Sequence, residues 1–557
     1  MSVDHGFGAQ VLRRAMDVRL VGGLALLGAV RDASGTVRAF FANGTDRADF
    51  DPAPAPDVAV LTELREVSGG ILLVTEGVDP LPVALVSGVE RITPIPDERA
   101  LFAGLNTALA FRLEEPADTV ADWLAYHATH HGLQAAVIVD RAPPGDKASS
   151  FVHDLSTALD ARGVSGVRIV VVDPGVPLGK PDMAPENHPW MAPDAPGKDR
   201  MTPPDPDPWR APLGEGLMLE LLKWWFLADA RAVLLLDVTD LLVPAGKMGT
   251  DTGVETDGVN AFDACVAASG GVILLVGRRI YPWRVRQGRV AHFGDHICRQ
   301  FDARRGIARW GVAPAKAGLD NTWRLIRVSY AKPDPGVVVP FWRAMAVRVP
   351  ARASSELAPK TSLIEHPDLI ALATGPLGWK PVRAPVSEAK RETSDRTAIV
   401  TTMKNEGPFI LEWIAYHRAI GVQDFLVYTN DCTDGTDTML DLLQAKGIVQ
   451  HRVNPWVPGG ELKPQHAALQ AAESEPLIQN AGWAICMDVD EFINIKLGDG
   501  RLPTLFAAME TALPGANMIS LTWRLFGNSD VDGYEDRFLL DQFDRCAPEV
   551  VRKPHQA

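Results

Sequence analysis

Short apolar runs separated by glycine, aspartate and proline open the chain, at residues 20–30, 37–41, 58–61, 70–74 and 81–86. Their spacing predicts a small β-rich module over residues 1–104, with Asp32-Ala33-Ser34-Gly35 turning a hairpin between the first two runs. From residue 105 the period changes. Residues 109–113, 136–139 and 167–172 are continuous apolar runs of strand length, while 117–131 and 151–161 repeat their apolar positions at helical spacing. Gly132 closes the first of these helices. Strand and helix alternating in this way predict a doubly wound α/β domain over residues 105–350. Within it, the proline-rich stretch 173–212 reads as a surface insertion. A helix at 217–228 then leads to a strand at 233–236 that ends in Asp237-Val238-Thr239-Asp240, followed by a helix at 261–268 and a strand at 271–276. Residues 351–396 lose the periodicity and read as a linker with one short helix near 366–373.

A second block, 397–557, repeats the order of the first. Strands are expected at 398–402, 425–428, 448–453, 483–487 and 518–523; helices at 408–420, 437–445, 464–475 and 505–513. The match reaches single residues. Trp123-Leu124-Ala125-Tyr126-His127 stands against Trp413-Ile414-Ala415-Tyr416-His417, and Leu236-Asp237-Val238-Thr239-Asp240 against Met487-Asp488-Val489-Asp490-Glu491. Where the second block has Asp490 the first has Thr239, a weaker ligand for a hard cation. These pairs imply a duplication whose first copy has lost its site.

Composition narrows the function classes. With 46% hydrophobic residues among 557, the chain has material for two or three cores. A formal charge of −15 argues against a nucleic-acid binder. Five scattered cysteines without a C-x-x-C pair favour reduced thiols and a cytoplasmic setting. No apolar run has the length of a membrane span. The run 20–30, preceded by Arg13, Arg14 and Arg19, faintly resembles a signal sequence, but its continuation into 37–41 favours a hairpin. Peripheral association with a membrane-bound acceptor stays open.

The candidate chemistry gathers in Ala484-Ile485-Cys486-Met487-Asp488-Val489-Asp490-Glu491-Phe492-Ile493, read as a buried parallel strand that delivers acids at its carboxyl end. Alternation along an extended backbone puts Asp488 and Asp490 on one side, where two carboxylates call for a divalent cation between them. The plainer alternative is a strand end followed by an acid-capped helix.

Thr402-Met403-Lys404-Asn405-Glu406-Gly407-Pro408, Glu412-Trp413-Ile414-Ala415-Tyr416-His417, Asn430-Asp431-Cys432-Thr433-Asp434-Gly435-Thr436 and Asp488-Val489-Asp490-Glu491-Phe492-Ile493, in that order, resemble a bacterial glycosyltransferase of the family 2 type. The resemblance implies a GT-A fold, in two tandem copies, with a DxD motif in the second. It implies that Thr402, Asn405 and Glu406 line a pocket for base and ribose and that Asp431 meets the base. Asp490 would bind Mg²⁺ or Mn²⁺, and Asp488 would hold the ribose or a metal-bound water. Lys463 and Gln465 either reach the donor's phosphates or sugar, or are solvated helix-start residues. Glu491 is expected to cap a following helix; Trp413, Tyr416 and His417 are expected to pack. A base for the acceptor hydroxyl would come from Asp530, Asp532, Glu535 or Asp536. The donor is a nucleotide sugar, UDP-sugar favoured, and the acceptor a glycan or lipid-linked. Such domains continue beyond the position of residues 551–557, so the second is expected to be incomplete. Two alternatives stand beside this: a phosphatase of the haloacid dehalogenase type, and a non-catalytic carbohydrate-binding or scaffold protein.

Overall fold

The computed structural model describes residues 9–51, 63–76, 79–193, 195–243, 260–301, 303, 306–349, 354–384, 394–459 and 462–547. The run at 58–61 and the segment 551–557 lie outside these residues. The chain divides into two compact units, residues 1–385 and 386–557. No helix among the described residues is long and apolar enough to cross a membrane.

The first unit is built on a nine-stranded sheet. Four of its strands are β1 (Asn106–Arg112), β2 (Ala135–Asp140), β3 (Arg168–Asp173) and β4 (Ala232–Asp237), parallel in the order β3-β2-β1-β4. Every residue of β1, β2 and β4 is buried, as expected of strands covered on both faces. Alternate residues go to opposite sides. Ala108, Ala110, Leu234 and Leu236 pack with Trp123 and Leu124 of helix α1 (Ala117–His131), whereas Leu109, Phe111, Val233 and Leu235 pack with Leu222, Phe226, Phe40 and Leu72. Outside β4 the sheet continues through Ile307–Val312, Val272–Ile280, Val338–Ala344 and Asp240–Leu242.

Arg19–Val21, Leu24–Arg31, Thr36–Phe41, Gly70–Glu76 and Glu63–Val67 form, in that order, the antiparallel sheet that the early apolar runs announce. Arg19–Val21 pairs with Leu24–Arg31, which pairs with Thr36–Phe41, so the run 20–30 is hairpin strand. Gln10–Ala15 departs from the expected module: it joins the large sheet, parallel to β3. The stretch read as a linker is also structured in part. Leu363–Glu365 pairs with Cys298–Gln300, and Leu369 and Leu372 of the helix Pro367–Thr374 enter the core around α1.

The second unit has a four-stranded parallel sheet of β5 (Thr397–Met403), β6 (Asp424–Thr429), β7 (Gln450–Val453) and β8 (Trp483–Cys486), in the order β7-β6-β5-β8. The order repeats β3-β2-β1-β4, and so does the register: the first residue of β5 faces the first of β8, as the first of β1 faces the first of β4. Helices α2 (Gly407–Ile420), α3 (Thr436–Ala445) and α5 (Leu502–Ala512) cover one face through Ile410, Trp413, Leu440 and Leu502; α4 (Pro464–Ala472) covers the other through Ala468 and Ala472. Pro408 opens α2, and Gly421, at φ 113°, closes it in the left-handed conformation that glycine adopts freely.

Two expectations fail here. β8 is not buried: Ala484 and Cys486 are exposed, because among the described residues no strand flanks its outer side. Residues 518–523 form no strand. Met518, Leu521 and Trp523 are exposed, and without a neighbour to pair with, an alternating pattern has no ladder to join.

Candidate functional site

β8 ends at Cys486, so Asp488 and Asp490 sit on the turn beyond it rather than on the strand. Both are exposed, and Met487, Val489 and Ile493, before, between and after them, are buried in the core under α2. Anchored apolar residues thus alternate with acids held out to solvent. The turn is closed by Glu491, whose carboxylate accepts the Asp488 N–H at 3.1 Å. No helix follows directly, since the next begins at Leu502, which removes the reading of an acid-capped helix and corrects the role expected of Glu491.

The carboxyl end of β5 supplies the neighbouring wall. Asn405 takes φ 61°, and its side-chain carbonyl accepts the Thr433 N–H at 2.8 Å. Asp434 accepts from Thr436 N–H at 3.0 Å, the Thr436 hydroxyl at 2.9 Å and Gly407 N–H at 3.2 Å, bonds that hold its carboxyl below the usual range. Asp434 is therefore a cap that ties the 430–436 loop to the start of α2. Glu406 lies between these groups, and its carboxyl is pushed up, first by burial and then by Asp490, Asp434 and Asp488. Thr402 is half-buried near the end of β5. Asp431, exposed at φ 51°, faces Lys404 at 3.7 Å.

From the other side, Gln465 at the start of α4 donates to Cys486 Sγ at 3.7 Å, which puts this helix end beside the last residue of β8. Lys463 stands at the residue before the same helix, makes no capping bond with its side chain, and is exposed. The four base candidates do not join the cluster. Asp530 pairs with Arg545, Glu535 lies 3.5 Å from Arg537, and Asp536 accepts from the Tyr534 hydroxyl at 3.4 Å. Among the described residues, none of these three nor Asp532 bonds to the acidic turn.

Sequence reasoning missed the residues that hold the turn. Trp413, Tyr416 and His417 are packed as expected, but each also reaches the turn's backbone. Trp413 Nε1–H donates to Glu491 O at 2.9 Å, the Tyr416 hydroxyl donates to Ile493 O at 2.9 Å, and His417 Nε2 accepts Ile493 N–H at 3.4 Å. His417 Nδ1 donates in turn to Trp413 O at 2.8 Å. That tautomer requires a neutral ring, and burial pushes its pKa down to about 4. The available signal was the joint recurrence of both motifs in the two blocks.

The corresponding turn of the first unit is filled. Asp237 is buried against Arg343 at 2.5 Å, Arg348 at 3.1 Å and Arg309 at 3.2 Å, and Asp240 takes a two-pronged bond from Arg343 at 2.7 Å. Those guanidiniums hold Asp237 far below the ordinary carboxylate range. Thr239, at the position of Asp490, is buried, and its hydroxyl has no partner among the described residues.

Residues 400–538 match the sequence model of glycosyltransferase family 92. Similar curated proteins are glycosyltransferase family 92 proteins of Ricinus communis (33% identity over 108 residues), Arabidopsis thaliana (32% over 106) and Oryza sativa subsp. japonica (31% over 105). Each alignment takes in 19% of this chain and 17–18% of the relative, so the chain spans under a fifth of the length of the curated relatives it matches. The matched stretch carries the acidic turn, the Asn405–Glu406 wall and the Trp413–His417 helix. The stretch 400–538 thus resembles a glycosyltransferase in sequence, and the matching family is 92 where the motifs by themselves suggested the family 2 type.

Proposed function

We propose that the second unit is a metal-dependent glycosyltransferase domain of GT-A architecture that moves a sugar from a nucleotide donor, a UDP-sugar in the first instance, to a glycan or lipid-linked acceptor. The observation that carries this reading is the pair of exposed carboxylates, Asp488 and Asp490, at the carboxyl edge of a parallel sheet, neither of them paired with a lysine or arginine among the described residues. The residues fit a hard divalent ion. Their donors are carboxylate oxygens, and Glu406, whose carboxyl is raised first by burial and then by Asp490, Asp434 and Asp488, adds a further acid beside them. No three of the described His, Cys, Asp or Glu side chains stand close enough to hold a metal alone, so the ion would have to complete its shell from water and donor phosphates. When bound, Mg²⁺ or Mn²⁺ would neutralise charge growing on the departing diphosphate.

In this reading Asp490 and Asp488 hold the ion, Thr402 and Asn405 line the base and ribose, and Asp431 meets the base. Gln465 and Lys463 lie on the phosphate side. The first unit reads differently: its β3-β2-β1-β4 order supports descent from the same architecture, and its arginine-filled turn supports a non-catalytic role. Calorimetry with UDP-sugars tests the proposal. Mn²⁺-dependent binding that disappears in Asp490→Ala is the expected result. Metal-independent binding, or phosphate release from aryl phosphates without nucleotide, would overturn it.

A further inference from the structure

We propose that Trp413, Tyr416 and His417 are positioning residues that fix the acidic turn before any ligand arrives; this rests on the reading of Asp488 and Asp490 as the donor site. Their three bonds to the backbone of Glu491 and Ile493 carry no net charge and touch neither carboxylate. They act on where the carboxylates stand.

The first unit shows that this arrangement is a device rather than an accident of packing. Trp123 Nε1–H donates to Asp240 O at 2.6 Å, the Tyr126 hydroxyl donates to Leu242 O at 2.6 Å, and His127 Nε2 accepts Leu242 N–H at 3.2 Å. The internal bond recurs as well, with Asp240 accepting the Asp237 N–H at 3.0 Å where Glu491 accepts that of Asp488. Four bonds are thus repeated at matching positions, around acids buried under arginine in one unit and exposed in the other. The backbone path of the turn is therefore set from behind, by the helix, whatever occupies its front. For a site made of two carboxylates, whose ion must also meet donor phosphates, such fixing removes the cost of ordering the turn at the moment of binding.

Tyr416→Phe tests this with the least disturbance, because the ring stays and one hydrogen bond goes. The full chain is assayed for Mn²⁺-dependent UDP binding and for exchange of the backbone amides over residues 487–494. The expected result is faster exchange in that stretch and roughly five-fold weaker binding, the effect of one hydrogen bond. Trp413→Phe should act in the same direction, while Tyr126→Phe in the first unit leaves both readouts for the second unit unchanged. Wild-type exchange and affinity in both second-unit variants would overturn the positioning role alone. Absence of Mn²⁺-dependent binding by the wild-type chain would overturn the donor-site reading and this role with it.

Discussion

The turn after β4 and the turn after β8 share one set of supporting hydrogen bonds and have two opposite fillings. Both follow the last of four parallel strands in the same order and register, and both are held from behind by a Trp, a Tyr and a His on the first helix of their block. In the first, Arg309, Arg343 and Arg348 bring guanidiniums onto the acids. In the second, the acids face solvent, and Glu406 beside them has its carboxyl pushed up first by burial and then by Asp490, Asp434 and Asp488. The comparison teaches that the need for a cation sits in the side chains and is separable from the scaffold. One unit satisfies it internally, with arginines; in the other the proposed function leaves it to a bound cation.

The largest effect that would sharpen this contrast is on stability. Asp237→Ala leaves Arg309, Arg343 and the partly buried Arg348 without their shared partner and should cost the first unit about 3–5 kcal/mol in chemical denaturation. Asp488→Ala, at the matching exposed position, should change the stability of the second unit by no more than about 0.5 kcal/mol. Equal losses would break the comparison.

Next in size is a pH effect on what the turns share. His417 is neutral in the folded state with its pKa near 4, and His127 is likewise pushed well down by burial. Between pH 6.5 and 4 the unfolded chain binds protons that the folded chain refuses, so stability must fall as pH is lowered through that window. For His417 the loss approaches ~3 kcal/mol, and urea midpoints at pH 7 and pH 4.5 measure it. A midpoint unchanged over this range would show the ring is not held neutral.

The smallest concerns the acid that precedes the tryptophan in each motif. Glu412 accepts the N–H groups of Leu539 at 2.6 Å and Leu540 at 3.1 Å, capping the short helix Leu539–Gln542. Its counterpart Asp122 instead pairs with Arg162 at 2.6 Å. Glu412→Ala should cost about 1 kcal/mol and expose residues 526–546 to proteolysis. An unchanged digestion pattern would show that the cap does not tie this segment down.

Much of the scaffold was legible in the sequence, for a physical reason. Strands buried on both faces are unbroken apolar runs, and helices such as 117–131 declare their ends with glycine and their faces with period. Gln10–Ala15 escaped because it is an edge strand with adjacent arginines, and 518–523 misled because alternation shows a capacity to pair and not a partner. At the site, Asp488 and Asp490 were readable as a pair. The clamp was not, since its bonds end on backbone atoms whose direction only the fold decides. The arginines that fill the first turn were hidden too, coming from segments 72 to 111 residues beyond the acid each one meets.

The central claim is that only the second turn takes a divalent cation. Electron paramagnetic resonance of Mn²⁺ with UDP measures this directly on the full chain, its Asp490→Asn variant and its Thr239→Ala variant. The account predicts that wild type and Thr239→Ala each remove one Mn²⁺ per chain from the free signal, in the presence of UDP, and that Asp490→Asn removes none. Uptake by Asp490→Asn equal to that of the wild type, or no uptake by the wild type, would contradict it.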